Sequence, residues 1–297
     1  MKDFQLEWQA TKESEGRLLR EFLFEQSVSK AALTDIKFNG GLIAVNGKEV
    51  TVRHLLREGD RVLVRFPEEQ PSEGLAPELL PLDIVYEDDY VLVINKAPYM
   101  NTIPSREHPA GSVANAVLGH YKKTGINSTF HVVTRLDRDT SGLLLIAKHR
   151  HIHYLLSEQQ KQRRIKRTYE ALVYGSVSGD GVIEEPIGRK TTSIIEREVR
   201  SDGQYALTSY ASLGGFGRFS HVELNLGTGR THQIRVHMSY IGHPLLGDSL
   251  YGGSRDAIGR QALHCKRLEF YHPISGERIV FRKAMPEDMK KLLEADV

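Results

Sequence analysis

Apolar and polar positions follow two different rhythms along this chain, one helical and one alternating. Leu18, Leu19, Phe22 and Leu23 recur at helical spacing, and Ser29 stands where it can cap a second helix that ends near Gly40-Gly41. Leu42-Ile43-Ala44-Val45 and Lys48-Glu49-Val50 then flank Asn46-Gly47, the strongest short signal for a β-hairpin. A further strand, Arg61 to Phe66, follows the Glu58-Gly59-Asp60 turn. Together these elements predict a compact unit over residues 14–66. Pro67, Pro71, Pro77 and Pro81, set among Glu, Gln, Ser and Gly, rule out a helix or central strand and mark residues 67–80 as a linker. A second domain is expected over residues 81–297.

Within that second domain, Leu82 to Asn95 reads as a strand, an acidic turn at Asp88-Asp89 and a buried strand. Leu143-Leu144-Leu145-Ile146-Ala147 reads as another buried strand, with more over 168–173, 205–212 and 221–226. Helices fit 112–121, 151–160, 231–241 and 286–293. Hairpin-linked strands, fewer helices and no regular βαβ alternation predict an α+β fold with a mixed, largely antiparallel sheet.

With 297 residues, 40% apolar and 26% charged, the chain has material for one large core and a small extra domain. The start, Met1 to Glu7, carries no apolar signal region, and no apolar run approaches the roughly 18 residues that a membrane span needs. A cytoplasmic protein with no membrane partner is the expectation. Cys265 is the only cysteine, so neither an intramolecular disulfide nor a Cys-x-x-Cys zinc site can form. The net charge of +2 says little about partners by itself. Its distribution says more: residues 130–170 hold nine Lys or Arg against four acids, together with His131, His149, His151 and His153. Contact between this stretch and a phosphate backbone is expected.

The same stretch contains Arg135-Leu136-Asp137-Arg138-Asp139-Thr140-Ser141-Gly142, a polar turn feeding a buried strand, where a scaffold can hold a reactive carboxylate rigidly. Asp137, Asp139, Ser141 and Gly142 also fit the first half of a calcium loop, but position twelve is Lys148, so that reading fails. Gly227-x-Gly229 follows a strand and precedes a helix. Arg230-Thr231-His232 stands where a dinucleotide fingerprint needs its third Gly, so the glycines are read as a tight turn, with Thr231 as helix cap and Arg235 projected from the first turns. His232 and His237, five apart, are poorly spaced to hold one metal and are read as structural or phosphate-touching.

The segment Arg135-Leu136-Asp137-x-x-Thr140-Ser141-Gly142-Leu143-Leu144 resembles the catalytic motif of the RluA family of RNA pseudouridine synthases, whose Asp is essential for turning uridine into pseudouridine. Lys166-Arg167-Thr168-Tyr169-Glu170-Ala171 resembles the family's second motif, whose Tyr lies against the target base. Gly227 to His237 resembles the third, whose final Arg pairs with the Asp, and Gly242-His243-Pro244-Leu245-Leu246-Gly247-Asp248 continues the match. The likeness covers about residues 81 to 280. Two departures stand out. Thr134 occupies a place commonly held by His, and an upstream Lys-Pro-x-Gly segment appears only as Asn95-Lys96-Ala97-Pro98-Tyr99. The two helices and Val-Asn-Gly-Lys hairpin near the start resemble the small RNA-binding domain of ribosomal protein S4. That unit is not basic by count, with 11 Lys or Arg and 12 acids up to residue 70, so its RNA-binding face must be local.

The resemblance implies a pseudouridine synthase fold with a central cleft, acting on structured ribosomal or transfer RNA. It implies catalytic roles for Asp137, Tyr169 and Arg235, and RNA contacts for Arg135, Arg138, Lys166, Arg230, Lys30, Lys37, Lys48 and Arg53. The reaction breaks N1–C1′, rotates the uracil and joins C5 to C1′; it is redox-neutral and calls for neither metal nor nucleotide cofactor. A monomer suffices for it. The carboxylate can attack the sugar, attack the base or take a proton, and the sequence leaves all three open. Any of them needs an ionised Asp137 in a water-poor cleft, for which an adjacent cation, Arg235, is the candidate. The target nucleotide must be flipped out, and Arg135 is placed to fill its stack or hold its phosphate. The alternative is a catalytically silent RNA-binding or ribosome-assembly factor that retains the fold.

Overall fold

The computed structural model describes residues 4–69 and 74–294; the middle of the expected linker, including Pro71, lies outside them. The N-terminal unit runs β1 (Gln5–Gln9), α1 (Leu19–Glu25), α2 (Lys30–Phe38), β2 (Leu42–Val45), β3 (Lys48–Glu49) and β4 (Arg61–Arg65). Ser29 caps α2, its hydroxyl accepting from Ala32 N at 3.1 Å. Asn46 and Gly47 both adopt positive φ, 51° and 78°, as a two-residue hairpin turn between β2 and β3 requires. The four strands stand in the order β1-β4-β2-β3. The expected boundary at residue 14 is therefore too late, because β1 pairs along the whole of β4, from Gln5 opposite Arg65 to Gln9 opposite Arg61.

The larger unit continues with β5 (Ile84–Glu87), β6 (Val91–Lys96), α3 (Val113–Thr124), β7 (His131–Val132), β8 (Ser141–Ala147), α4 (Arg150–Lys161) and β9 (Lys166–Tyr174). It then adds β10 (Asp180–Ile183), β11 (Ile187–Arg189), β12 (Arg197–Val199), β13 (Thr208–Phe216), β14 (Phe219–Leu226) and α5 (Gln233–Tyr240). β15 (Leu263–Tyr271), β16 (Arg278–Arg282) and α6 (Glu287–Glu294) complete it. Ten strands form one sheet along β10-β13-β14-β9-β15-β8-β6-β5, with β16 on β15 and β7 on β8. The α+β architecture agrees with the expectation, and the neighbours are antiparallel except β8 and β15.

That parallel pair positions the polar turn before β8. All seven residues of β8 are buried, which explains its unbroken apolar run. Gly142 opens the pairing with φ 115°, and a Cβ there would lie 2.4 Å from the Cys265 carbonyl oxygen. Only glycine lets β15 approach so closely at this point.

The histidine-rich stretch turns away from the turn, towards the N-terminal unit. His149 stacks on Phe4 with ring centres 3.9 Å apart, and His151 on Phe66 at 4.9 Å. Burial pushes both imidazoles down to about 4, so both are neutral at pH 7. Beside them the buried Glu69 accepts from Arg150 N at 2.7 Å and pairs with His131 Nε2 at 2.5 Å. Burial opposes its charge, but the His131 hydrogen bond and nearby histidines outweigh it and hold the carboxyl down at about 2. Lys148 Nζ donates to Glu87 at 2.8 Å. The expected phosphate contact along the whole basic stretch is thus corrected: residues 149–151 face a seam between the two units, while Lys148 pairs within the larger one. No helix among the described residues is long and apolar enough to cross a membrane.

Candidate active site

The turn ahead of β8 is held by its carbonyls. Thr102 Oγ1 donates to Leu136 O at 2.7 Å, Lys96 Nζ to Arg138 O at 2.9 Å, and Arg260 Nη1 to Asp139 O at 3.1 Å. Lys96, 1% exposed, also donates to Ala97 O and Met100 O at 2.8 Å. Burial pulls this lysine down to about 7, against the attraction of Asp137 and Asp139. Three carbonyl acceptors use all three protons of an ammonium, so the geometry is that of the charged form. Arg260, fully buried, is itself gripped by Asp288 of α6 through Nε at 2.7 Å and Nη2 at 2.9 Å. With its backbone fixed in this way, Asp137 presents its carboxylate to a cleft.

Facing it is Arg235, on the first turn of α5. Its Nη1 donates to Asp137 Oδ2 at 3.0 Å, while Nε and Nη2 make a bidentate pair with the buried Asp248 at 2.7 and 2.8 Å. The Tyr251 ring covers the guanidinium at 4.9 Å. Burial works against this cation, but its hydrogen bonds to Asp248 and the charges of Asp137 and Asp248 prevail and hold Arg235 above its ordinary value. The stronger, two-point contact therefore goes to Asp248. Asp137 receives a single hydrogen bond, and its Oδ1 has no hydrogen-bond partner among the described residues.

The start of α5 is corrected. Its N-cap is His232, at φ 58°, with no side-chain cap bond, so Thr231 does not cap it. Gln233 does the local tying, accepting from Thr228 Oγ1 at 2.7 Å and Arg230 N at 2.9 Å while donating to Leu207 O and Thr208 Oγ1 at 2.9 Å. The left-handed residue turns His232 towards the cleft, with Nε2 3.8 Å from Asp137 Oδ2. Burial lowers its basicity, against the pull of Asp137. Tyr251 OH accepts from Arg197 N at 2.9 Å and lies 2.8 Å from His232 Nδ1. His237 is structural, bound to Thr208 Oγ1 and Glu185 O at 2.9 Å.

Tyr169, 3% exposed, lies in the cleft wall on β9, and its OH accepts from Arg167 Nη1 at 3.1 Å. Burial raises the phenol above its ordinary value, with Arg167 opposing, so it holds its proton at neutral pH. Asp137, Tyr169, Arg235, Arg135 and Arg230 line one cavity, with Leu136 and Ile234 among its apolar contacts. Arg138 lines the adjoining groove. Lys166 does not reach the cleft; side chains alternate along β9, so Arg167 faces inward and Lys166 outward, exposed. Lys30, Lys37, Lys48 and Arg53 are exposed on the N-terminal unit, apart from the cleft. Sequence reasoning missed roles for Arg167, Asp248 and Tyr251. Arg167 and Asp248 sat inside the matched motifs, where the signal was available, whereas nothing in the sequence marked Tyr251.

Residues 90–240 match the model of the family described as RNA pseudouridylate synthase. An "Uncharacterized RNA pseudouridine synthase YjbO" of Bacillus subtilis (strain 168) is 54% identical over 94% of this chain and 99% of its own. "Ribosomal large subunit pseudouridine synthase D" of Vibrio parahaemolyticus is 39% identical over 86% of this chain and 83% of its own. Among solved structures, "Human RNA Pseudouridylate Synthase Domain Containing 1" superposes with a TM-score of 0.56 at 25% identity, covering 76% of this chain and 97% of that one.

Proposed function

The chain belongs to the RNA pseudouridylate synthase family, an isomerase family acting on RNA, and from that premise we propose that Asp137 is the carboxylate through which it converts uridines of large-subunit ribosomal RNA into pseudouridine. The observation that carries this reading is the Asp137–Arg235 contact at 3.0 Å inside the cleft that Tyr169 lines. A carboxylate with one oxygen engaged and one free is placed to act on a flipped nucleotide. The uracil would lie against Tyr169, between Leu136 and Ile234. The phenol, protonated at neutral pH, suits packing and hydrogen-bond donation better than proton abstraction. Arg135, exposed at the cleft mouth, would take the vacated stack or the flipped phosphate. The N-terminal unit would act as an S4-like RNA-binding domain through Lys30, Lys37, Lys48 and Arg53, within the cytoplasm where ribosomes are made. The choice of ribosomal RNA rests on the relatives called large-subunit synthases.

The test is a transcriptome-wide pseudouridine map, by carbodiimide-dependent reverse-transcription stops, in cells lacking the gene and in cells given back wild type or Asp137→Ala. Sites lost on deletion should return with wild type alone. Equal recovery with Asp137→Ala would remove Asp137 from the chemistry. Unchanged ribosomal and transfer RNA would favour the silent binding factor.

A further inference from the structure

Beside the cleft, a second pocket of about 420 Å³ is walled by Arg135, Arg189, Arg197 and Arg230. It shares Arg135, Gly229, Arg230 and Thr231 with the groove that leads to Asp137. The single acid on its wall, Asp202, is already neutralised by Arg200, through Nε and Nη2 at 2.8 Å. The neighbouring acids are likewise taken: Glu196 pairs with Lys190 at 2.6 Å and Glu198 with Arg200 at 3.6 Å. None of the four lining arginines has a carboxylate partner among the described residues.

Two of them are fixed in place by neutral acceptors. Arg230 donates to Tyr205 O and Gln204 Oε1 at 2.9 Å, and Arg197 to Ile195 O at 2.9 Å and Glu196 O at 3.0 Å. Arg189 and Arg197 stand directly opposite each other on the two-stranded ribbon of β11 and β12. Like charges paired across strands cost stability unless an anion lies between them. Four uncompensated guanidiniums round one concave pocket make a site for an oxyanion with several acceptors.

We infer that this pocket binds a backbone phosphate of the RNA strand beside the nucleotide held at Asp137, with Arg189 and Arg197 as its dedicated contacts. The inference rests on the proposed function, and the continuity of pocket and cleft selects a strand phosphate over a free phosphate ion. A contact that neighbours the target would fix which nucleotide of a strand reaches the carboxylate, and so contributes to the choice of site as well as to affinity.

The experiment uses full-length protein carrying Asp137→Asn, so that binding is read without turnover, with and without Arg189→Gln. The probe is a synthetic RNA hairpin containing the mapped uridine, with one uncharged methylphosphonate linkage placed in turn at each neighbouring position. One position should weaken binding roughly tenfold, in line with a charged hydrogen bond, and that penalty should vanish in the Arg189→Gln background. The dependence of log affinity on log salt should become shallower by about 0.7 for one lost phosphate contact on a single strand. Unchanged affinity in Arg189→Gln, or equal losses at every linkage in both backgrounds, would overturn the subsite. If no RNA is modified by the wild type, an in vitro transcript of large-subunit ribosomal RNA replaces the hairpin. Weaker binding and a shallower salt slope in Arg189→Gln would then uphold the anion site while the catalytic reading fails; unchanged binding would overturn it. Competition by inorganic phosphate, with no effect of any linkage, would assign the pocket to a free anion and also overturn the inference.

Discussion

Two halves of one basic segment, residues 135–140 and residues 148–153, meet opposite environments. In the first, the protein supplies polar partners: Arg235 donates to Asp137, and Lys96, reaching over from β6, donates to Arg138 O. In the second, the imidazoles of His149 and His151 lose their charge to burial and behave as flat rings stacked on Phe4 and Phe66. Linear charge density cannot tell these cases apart, because charge state follows desolvation and partners rather than composition. The comparison predicts that damage to the first region is read in chemistry and damage to the second in stability.

The largest effect of this kind should come from Asp248→Asn. Removing one partner of a buried ion pair costs roughly 3–5 kcal/mol, and here it also frees Arg235 to turn its two-point contact on Asp137. The turnover rate should drop by about 10²-fold with KM for RNA little changed, as measured by tritium release from 5-³H-uridine RNA. The pH profile of kcat should shift as well, which a merely structural loss would not produce. If kcat and its pH profile match wild type, the sharing of Arg235 between two carboxylates has no catalytic meaning.

Glu69→Gln addresses the other region. Loss of a buried, charge-assisted hydrogen bond should reduce stability by roughly 1–3 kcal/mol, read as the urea midpoint of Trp8 fluorescence. Trp8 is the only tryptophan and shares a groove with His151 at the seam. Turnover at saturating RNA and pH 7.5 should stay near wild type; a fall like that of Asp248→Asn would show that seam and cleft are not separate.

The smallest effect is a titration. His149 and His151 have folded values near 4, below the ordinary 6.5, so the unfolded chain binds their protons first as the pH falls. Their contribution to stability is complete above about 6.5 and declines steadily towards 4. Glu69, lowered from 4.5 to about 2, adds a loss that begins only near 4.5. Urea midpoints should therefore decline from pH 6.5 downwards, with a flatter decline in His151→Phe. An equal decline in that variant would assign the acid sensitivity elsewhere.

Local rules made the N-terminal helices and hairpin legible, since Ser29, Asn46 and Gly47 act on their immediate neighbours. The β1–β4 pairing was hidden because its strands lie far apart in sequence, although the alternation of Leu6 and Trp8 was there to be read. β15 escaped because much of it is buried on both faces, so it lacks the two-residue rhythm of an exposed strand. In the candidate site, Asp137, Tyr169 and Arg235 were named from motifs and do come together. The motif offered Lys166, yet it is the next residue, Arg167, that lines the cleft, because one step along a strand reverses the face. What holds the site, from Lys96 to Asp248, depends on distances that no spacing in the sequence reports.

The grip of Arg260 on Asp139, and of Asp288 on Arg260, has a consequence in time as well as in space. A ribosome delivers the chain from its N-terminus, so the turn bearing Asp137 emerges well before the residues that clamp it. The nascent protein carries the Asp137 carboxylate without its final support until α6 has been made and docked. Competence is therefore acquired late, when nearly all of the domain is already in place.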